Sequence, residues 1–255
     1  MSLKEVIKKL KEKNDTLTGR IESEYILNDF MRPCFENSTK YDRGVGYFTS
    51  SVFELYGNNL IQFIRNGGKI RLACSHHLLE RDVYKIEDAI KHQDDFISDF
   101  NKLLNDIKYK ESAEILASLV SHKIMDIRII VPKSRKGQPD FNRLFHPKYG
   151  IFSDGTNSIS FEGSANESKN SLKSIVWDTI KYHLSWEEHL ESVKSDQEFF
   201  DKIWNNEHDS LKSFKLTEET ITHLKIYSSK NEKELREKVI KFEEKSSKGF
   251  NKNSE

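Results

Sequence analysis

The segment Leu144–Asn166, LFHPKYGIFSDGTNSISFEGSAN, holds the residues best suited to chemistry. His146 and Lys148 stand two apart, and side chains alternate along a strand, so the pair is expected on one face. Asp154-Gly155 is a strong hairpin-turn signal. It predicts a second, antiparallel strand that returns Gly163-Ser164-Ala165-Asn166 to the neighbourhood of the pair. Gly163 permits close backbone approach. Ser164 and Asn166 bring a hydroxyl and an amide, Lys148 a cation, and His146 a nucleophile or base. The set suits phosphoryl transfer, where catalysis is mostly positioning and charge stabilisation. It contains no carboxylate cluster of the kind that holds Mg²⁺, so the expected route uses no metal and no cofactor. His-x-Lys alone is most often an exposed strand face, and Gly-Ser-x-Asn alone a turn. The two within one hairpin are a much rarer coincidence.

The elements that must position this hairpin read as α/β. Leu3, Val6, Ile7 and Leu10 form one helical stripe. A second helix is expected through RIESEYILNDFMRPCFENS, disturbed near its end by Pro33. DRGVGYFTSSVF reads as a strand with Val45, Tyr47 and Thr49 on one face. A helix closed by Gly67-Gly68 follows, then the strand KIRLACS. Strand–helix–strand order implies a βαβ unit and a mostly parallel sheet. One or two inserted helices are expected near 80–120, then the strand MDIRIIVP and a loop with Lys133, Arg135, Lys136 and Arg143. SLKSIVWDTIKYHLSW carries mixed patterns and no assignment. EEHLESVKSDQEFFDKIWNNE reads as an amphipathic helix with Leu190, Val193, Phe199, Phe200, Ile203 and Trp204 inward. A short helix capped by Thr217 follows. Residues 229–255 are charged and polar, and read as a lone helix with little to bury, a disordered tail or a linker.

The chain has 255 residues, 36% hydrophobic and 32% charged, with 41 Lys plus Arg against 41 Asp plus Glu. This fits a soluble globular protein. Zero net charge means that any nucleic-acid surface must be local. The 2 cysteines, Cys34 and Cys74, have no CxxC spacing. A disulfide scaffold and a zinc site are therefore not expected, and a reducing cytoplasm fits. The N-terminus has no apolar core of a secretory signal. No apolar run reaches the roughly 18–20 residues of a membrane span.

The hairpin resembles the phospholipase D superfamily, whose motif is H-x-K, an Asp, then G-S-x-N. DRGVGYFTSSVFELYGNNLIQFIRNGGKIRLACS is similar to that fold's opening strand–helix–strand. It is particularly like the nuclease-like domains found with DEAD/DEAH-type helicases in bacterial antiphage and restriction systems. The likeness extends over roughly residues 15–228, a single-domain span. It implies a mixed β-sheet flanked by helices, with one motif per chain.

By this resemblance His146 attacks phosphorus and forms a phosphohistidine, while Lys148, Ser164 and Asn166 hold the phosphate oxygens. Thr49 and Ser51, with Gly163, support the phosphate site, and Ser50 also lines the cleft. Members with one motif complete the site across a homodimer. The family's Asp sits five residues after the Lys. That position is Ser153 here, and Asp154 stands one later, at the turn. Glu167 is too close to the motif to orient the partner histidine. Asp178, Glu187 and Glu188 remain open for that role.

The basic cluster Lys133, Arg135, Lys136 and Arg143 either grips a nucleic-acid backbone or is a solvated loop. His76 and His77 read more readily as loop histidines than as acid–base groups. Trp177, Trp186 and Trp204 are expected in the core, as is Tyr47. The resulting expectation is a metal-independent phosphodiesterase: a cytoplasmic, homodimeric DNA nuclease of a defence system, with a helicase as partner or fused domain. Two alternatives stand beside it, a degenerate nucleic-acid- or partner-binding module and a phosphodiesterase acting on lipid.

Overall fold

The computed structural model describes residues 1–13, 19–46, 48, 50–75, 101, 105, 110–165 and 177–250. Tyr47, Thr49, His76, His77, Asn166 and Glu167, and most of the insertion expected near 80–120, lie outside the described residues.

In chain order the elements are α1 (Leu3–Lys13), β1 (Arg20–Glu22), α2 (Ser23–Tyr25), a π-helical stretch Ile26–Met31, and α3 (Arg32–Glu36). Then come β2 (Lys40–Val45), a one-turn 3₁₀ helix Ser50–Val52, α4 (Phe53–Arg65) and β3 (Lys69–Cys74). After α5 (Lys110–Ser121) and β4 (Met125–Pro132) the hairpin β5 (Lys148–Ser153) and β6 (Ser158–Gly163) follows. β7 (Thr179–Leu184), α6 (Leu190–Trp204), β8 (Leu211–Lys215), α7 (Glu218–Tyr227) and α8 (Glu232–Phe250) complete the described chain.

The strands form one mixed sheet in the order β1-β7-β6-β5-β2-β3-β4-β8. β2, β3 and β4 are mutually parallel, as the strand–helix–strand pattern predicts, but the other five pairings among the described residues are antiparallel, so the expected mostly parallel sheet is not found. The hairpin lies antiparallel against β2, with Lys148 opposite Val45 and Ser153 opposite Lys40. Helices cover both faces of the centre, which explains the near-continuous burial along β2 and β4. One face packs Phe30, Phe35, Tyr41, Phe152 and Phe161 edge-on and stacked. The other packs Phe145, Ile151, Phe200, Ile203 and Trp204.

Arg71 ties α6 to that second face. Its guanidinium donates to both oxygens of the buried Asp42 at 2.7 and 2.6 Å and to Asp201 at 2.8 Å. Its plane lies over Phe200, 4.8 Å from the ring centre. Fork geometry with the remaining face stacked is the arrangement in which a half-buried ion pair keeps its charges satisfied.

Several expectations need correction. Leu190 and Phe199 are 40% and 42% exposed rather than inward. Val193, Phe200, Ile203 and Trp204 already make the buried stripe, and Phe199 sits about 100° from Phe200 around the helix. Trp177 is 71% exposed, whereas Trp186 is half-buried and Trp204 buried. The strand expected over 42–53 starts earlier and ends at Val45. The helix expected from Arg20 opens instead with the short strand β1, pairing with β7.

The charged C-terminal segment is not a lone helix. Leu235, Val239 and Phe242 of α8 are buried. Glu243 caps the kink of α4, accepting from the Asn58 N–H at 3.0 Å, where Gly57 adopts φ 40°. Lys238 pairs with Glu114 of α5 at 2.9 Å. No helix among the described residues is long and apolar enough to cross a membrane.

Candidate active site

β5 begins at Lys148 and not at Leu144. Pro147 has no N–H to extend the ladder, but its carbonyl accepts from Gly46 N at 3.0 Å. His146 therefore stands just before the strand, anchored to the end of β2. The expected meeting with Lys148 still occurs: Lys148 Nζ lies 2.7 Å from His146 Nε2. An ammonium can only donate, so Nε2 accepts and the imidazole is neutral, with its proton on Nδ1.

Electrostatics favour the same state. Burial, and then the charge of Lys148, push the His146 pKa below its ordinary value. Lys148 is itself shifted down, first by burial and then by Arg43, with Asp178 acting the other way. The imidazole is exposed, so a neutral nitrogen base faces solvent at neutral pH.

The second half of the site hangs on β6. The ladder pairs Tyr149 with Glu162, and continuing that register sets Ser164 level with Pro147. Gly163 lets β7 come close: a Cβ there would collide with the carbonyl oxygen of Thr179. Ser164 N donates to Thr179 O at 3.0 Å, and its Oγ accepts from Thr179 N at 3.1 Å. That leaves the Ser164 hydroxyl proton for a ligand, on an exposed side chain.

The other expected residues are placed differently. Ser51 is buried in its 3₁₀ turn, so its hydroxyl is not open to a phosphate from solvent. Its neighbour Ser50 is buried against Ser112, the hydroxyls 3.1 Å apart. In the basic loop, Lys133 Nζ donates to the His208 carbonyl at 3.0 Å and Arg143 to the Lys133 carbonyl at 2.8 Å. Those two hold the loop's shape, while Arg135 and Lys136 project to solvent.

Of the three carboxylates left open, Glu187 pairs with Lys11 at the surface at 2.9 Å, and Glu188 is exposed. Asp178 is 3% exposed. Its backbone N–H is bound by the Ser23 hydroxyl. Its Oδ2 is buried with no hydrogen-bond partner among the described residues, and its charge registers at Lys148.

Two residues escape a reading of motifs. Gly46 is one: a Cβ there would overlap the His146 ring at Nδ1, so glycine is what lets the imidazole lie against the end of β2. Arg43 is the other. It is 1% exposed, donates to Ala165 O at 2.8 Å, and lies over Phe161, 5.3 Å from the ring centre. It anchors the segment that follows Ser164. It lies in a strand, KYDRGV, that also carries Lys40 and Asp42, so its type alone does not mark it.

Asp154 works elsewhere. Its Oδ1 accepts from the N–H groups of Asn157 and Thr156 at 2.7 and 3.0 Å, and its Oδ2 from Leu3 N at 3.1 Å. Burial opposes its charge, but these bonds outweigh it and hold the carboxyl below its usual range. Its place is the turn and the first residue of α1.

No protein-family model matches the chain, and no curated protein matches it. Solved structures do. NucT from Helicobacter pylori is 14% identical, with a TM-score of 0.41, over 76% of this chain and 97% of that one. Nuc from Salmonella typhimurium, a phospholipase D family member, is 11% identical, with a TM-score of 0.39, over 72% and 87%. Phosphatidylserine synthase from Haemophilus influenzae Rd KW20 is 12% identical, with a TM-score of 0.42, over 79% of this chain and 42% of that one.

Proposed function

We propose that this protein is a phosphodiesterase of phospholipase D type that cleaves DNA without a metal ion. The observation that carries the reading is the Lys148 Nζ to His146 Nε2 contact of 2.7 Å, at the open end of a hairpin whose other strand supplies Ser164. A cation beside a neutral nitrogen nucleophile, with a hydroxyl donor opposite, meets what a phosphodiester requires.

In the reaction we infer, the phosphate draws Lys148 Nζ onto a non-bridging oxygen, which releases the Nε2 lone pair. Ser164 donates to another oxygen, and Asn166 is assigned the same task. Nε2 forms a bond to phosphorus as the bond to the leaving oxygen breaks, and that oxygen takes a proton from His146 of the partner subunit, which must be the protonated copy of the pair. Water then attacks the phosphohistidine and gives its proton to that now neutral histidine, the P–N bond breaks, and free His146 returns. Asp178 is the carboxylate we assign to orienting a histidine. The shared site requires a homodimer.

DNA as substrate, a bacterial antiphage or restriction setting and a helicase partner rest on the resemblance of the Asp42–Ser75 segment and of the motif. Exposed Arg135 and Lys136 would add sequence-independent phosphate contacts.

The test is cleavage of DNA, RNA and a generic phosphodiester in EDTA, by the wild type and by His146→Ala. Cleavage that survives EDTA and vanishes in the variant is the expected result. Cleavage abolished by EDTA overturns the metal-independent route, and DNA binding without cleavage of any substrate replaces the enzyme with a binding module.

A further inference from the structure

Beside Lys148, on the face of the sheet that carries α6, lies a groove of about 570 Å³. That volume is within the roughly 300–1,000 Å³ that small organic ligands fill. Its floor is a lateral row through four strands. Arg20 of β1 pairs with Lys181 of β7, Lys181 with Glu162 of β6, and Glu162 with Tyr149 of β5. Strands lie about 4.8 Å apart, so the row runs roughly 14 Å away from the hairpin end. The wall is α6, through Asp196 and Phe199.

Each part of this groove has a recognisable chemistry. Phe199 is 42% exposed, yet held from behind by Tyr149 at 5.7 Å and His208 at 5.4 Å between ring centres. It is therefore an aromatic ring that is both open and fixed in place. Arg20 and Lys181 are exposed, and neither forms an ion pair among the described residues. Asp196 is turned to the sheet, where it accepts from the Ser160 hydroxyl at 2.6 Å. Glu162 on the floor, opposite Lys181, and Asp196 on the wall, 43% exposed at its side chain, are the two carboxylates of the groove. A π platform next to a phosphate site, with two cations farther along, is how single strands are held. A duplex would not use it, because the bases of a duplex already have both faces stacked.

We propose that this groove binds one single strand of nucleic acid, with the nucleoside next to the scissile phosphate stacked on Phe199 and the following phosphate met by Lys181 and Arg20. This rests on the reading of His146 and Lys148 as a phosphodiester site, and it adds that the substrate is single-stranded at the point of cleavage.

Fluorescence anisotropy with a labelled mixed-sequence single-stranded oligodeoxynucleotide tests it in the His146→Ala background, where the probe stays intact. Phe199→Leu, which keeps apolar bulk without a π face, and Phe199→Ala should each weaken binding about tenfold. Phe199→Trp should retain it. Arg20→Ala and Lys181→Ala should each reduce the slope of log affinity against log salt by about 0.7. Equal affinity of Phe199, Leu and Trp proteins, no single-strand binding, or tighter binding to duplex would overturn the proposal. So would sedimentation velocity showing that Phe199→Leu turns a dimer into monomers, because the face would then belong to a second copy.

The two readings fail separately. DNA cleavage in EDTA with binding indifferent to residue 199 removes the groove alone. Binding that depends on Phe199 without cleavage by the wild type removes the chemistry alone.

Discussion

The two ends of one hairpin use polar side chains in opposite ways. At the turn, Asp154 directs its oxygens to three backbone N–H groups, from Leu3, Thr156 and Asn157. At the open end, Ser164 keeps its hydroxyl proton, and Lys148 shares its ammonium with a histidine that a ligand can displace. Backbone-bound groups add to stability, because losing them strands N–H donors. Groups with spare capacity add little to stability and are available to a substrate. Asp154 stands one residue beyond the position that the resemblance implies, and its hydrogen bonds show what it does here. It closes a turn and starts a helix.

His146→Ala puts the open end to the most severe test. With the proposed nucleophile gone, cleavage should fall by a factor on the order of 10⁴–10⁶, while thermal stability stays level, because the exposed ring supports no core. A large loss of stability would show that the open end is structural after all. Next in size is Lys148→Met, which removes one charged donor from the phosphate and should cost about 10²–10³-fold in kcat.

The pH profile carries a second prediction for the same residue. Nucleophilic attack needs neutral His146, so the rate should fall as pH drops through its folded value. That value is depressed, so the acid limb should lie below the ordinary histidine value of about 6.5. Lys148→Met removes the second of the two causes, leaving burial, and should move the limb upward. An acid limb above that ordinary value in the wild type would contradict the geometry.

How far the sequence could be read follows from the kind of signal each part sends. The β2–α4–β3 unit, the hairpin with its Asp-Gly turn and the meeting of His146 with Lys148 were legible, because local periodicity and turn chemistry decide them. His146 and Lys148 meet although His146 lies outside the ladder. β7 was hidden because its alternation, Ile180, Tyr182 and Leu184, is short and lies within a stretch of mixed patterns. α8 was misjudged because Leu235, Val239 and Phe242, set among charged residues, look like part of a solvated helix until α4 is present to receive them. Gly46 and Arg43 could not be read, since each depends on a contact between segments far apart in the chain.

Gly46→Ala refines the comparison from the supporting side. The added methyl must displace the imidazole, and a shift near 1 Å in a reacting group costs on the order of 10²-fold. Binding of a single strand should change far less than kcat. If both fall together, Gly46 shapes the groove and not the nucleophile.

The smallest expected effect is at the other end. Asp154→Ala should lower stability by about 1 kcal/mol, the usual cost of losing a side-chain cap, or about 2–4 °C in melting temperature for a chain of this size. The carboxylate is half-buried, which keeps the figure modest. Its folded pKa is depressed, so its contribution is full above the unfolded carboxylate value and is lost as pH falls through the folded one. The melting temperatures of the wild type and Asp154→Ala should therefore converge in acid. Cleavage per folded molecule should not change, because its hydrogen bonds all go to the turn and α1. If Asp154→Ala instead slows cleavage at an unchanged melting temperature, the carboxylate acts on His146 through the strand. The division of labour between the two ends would then be wrong.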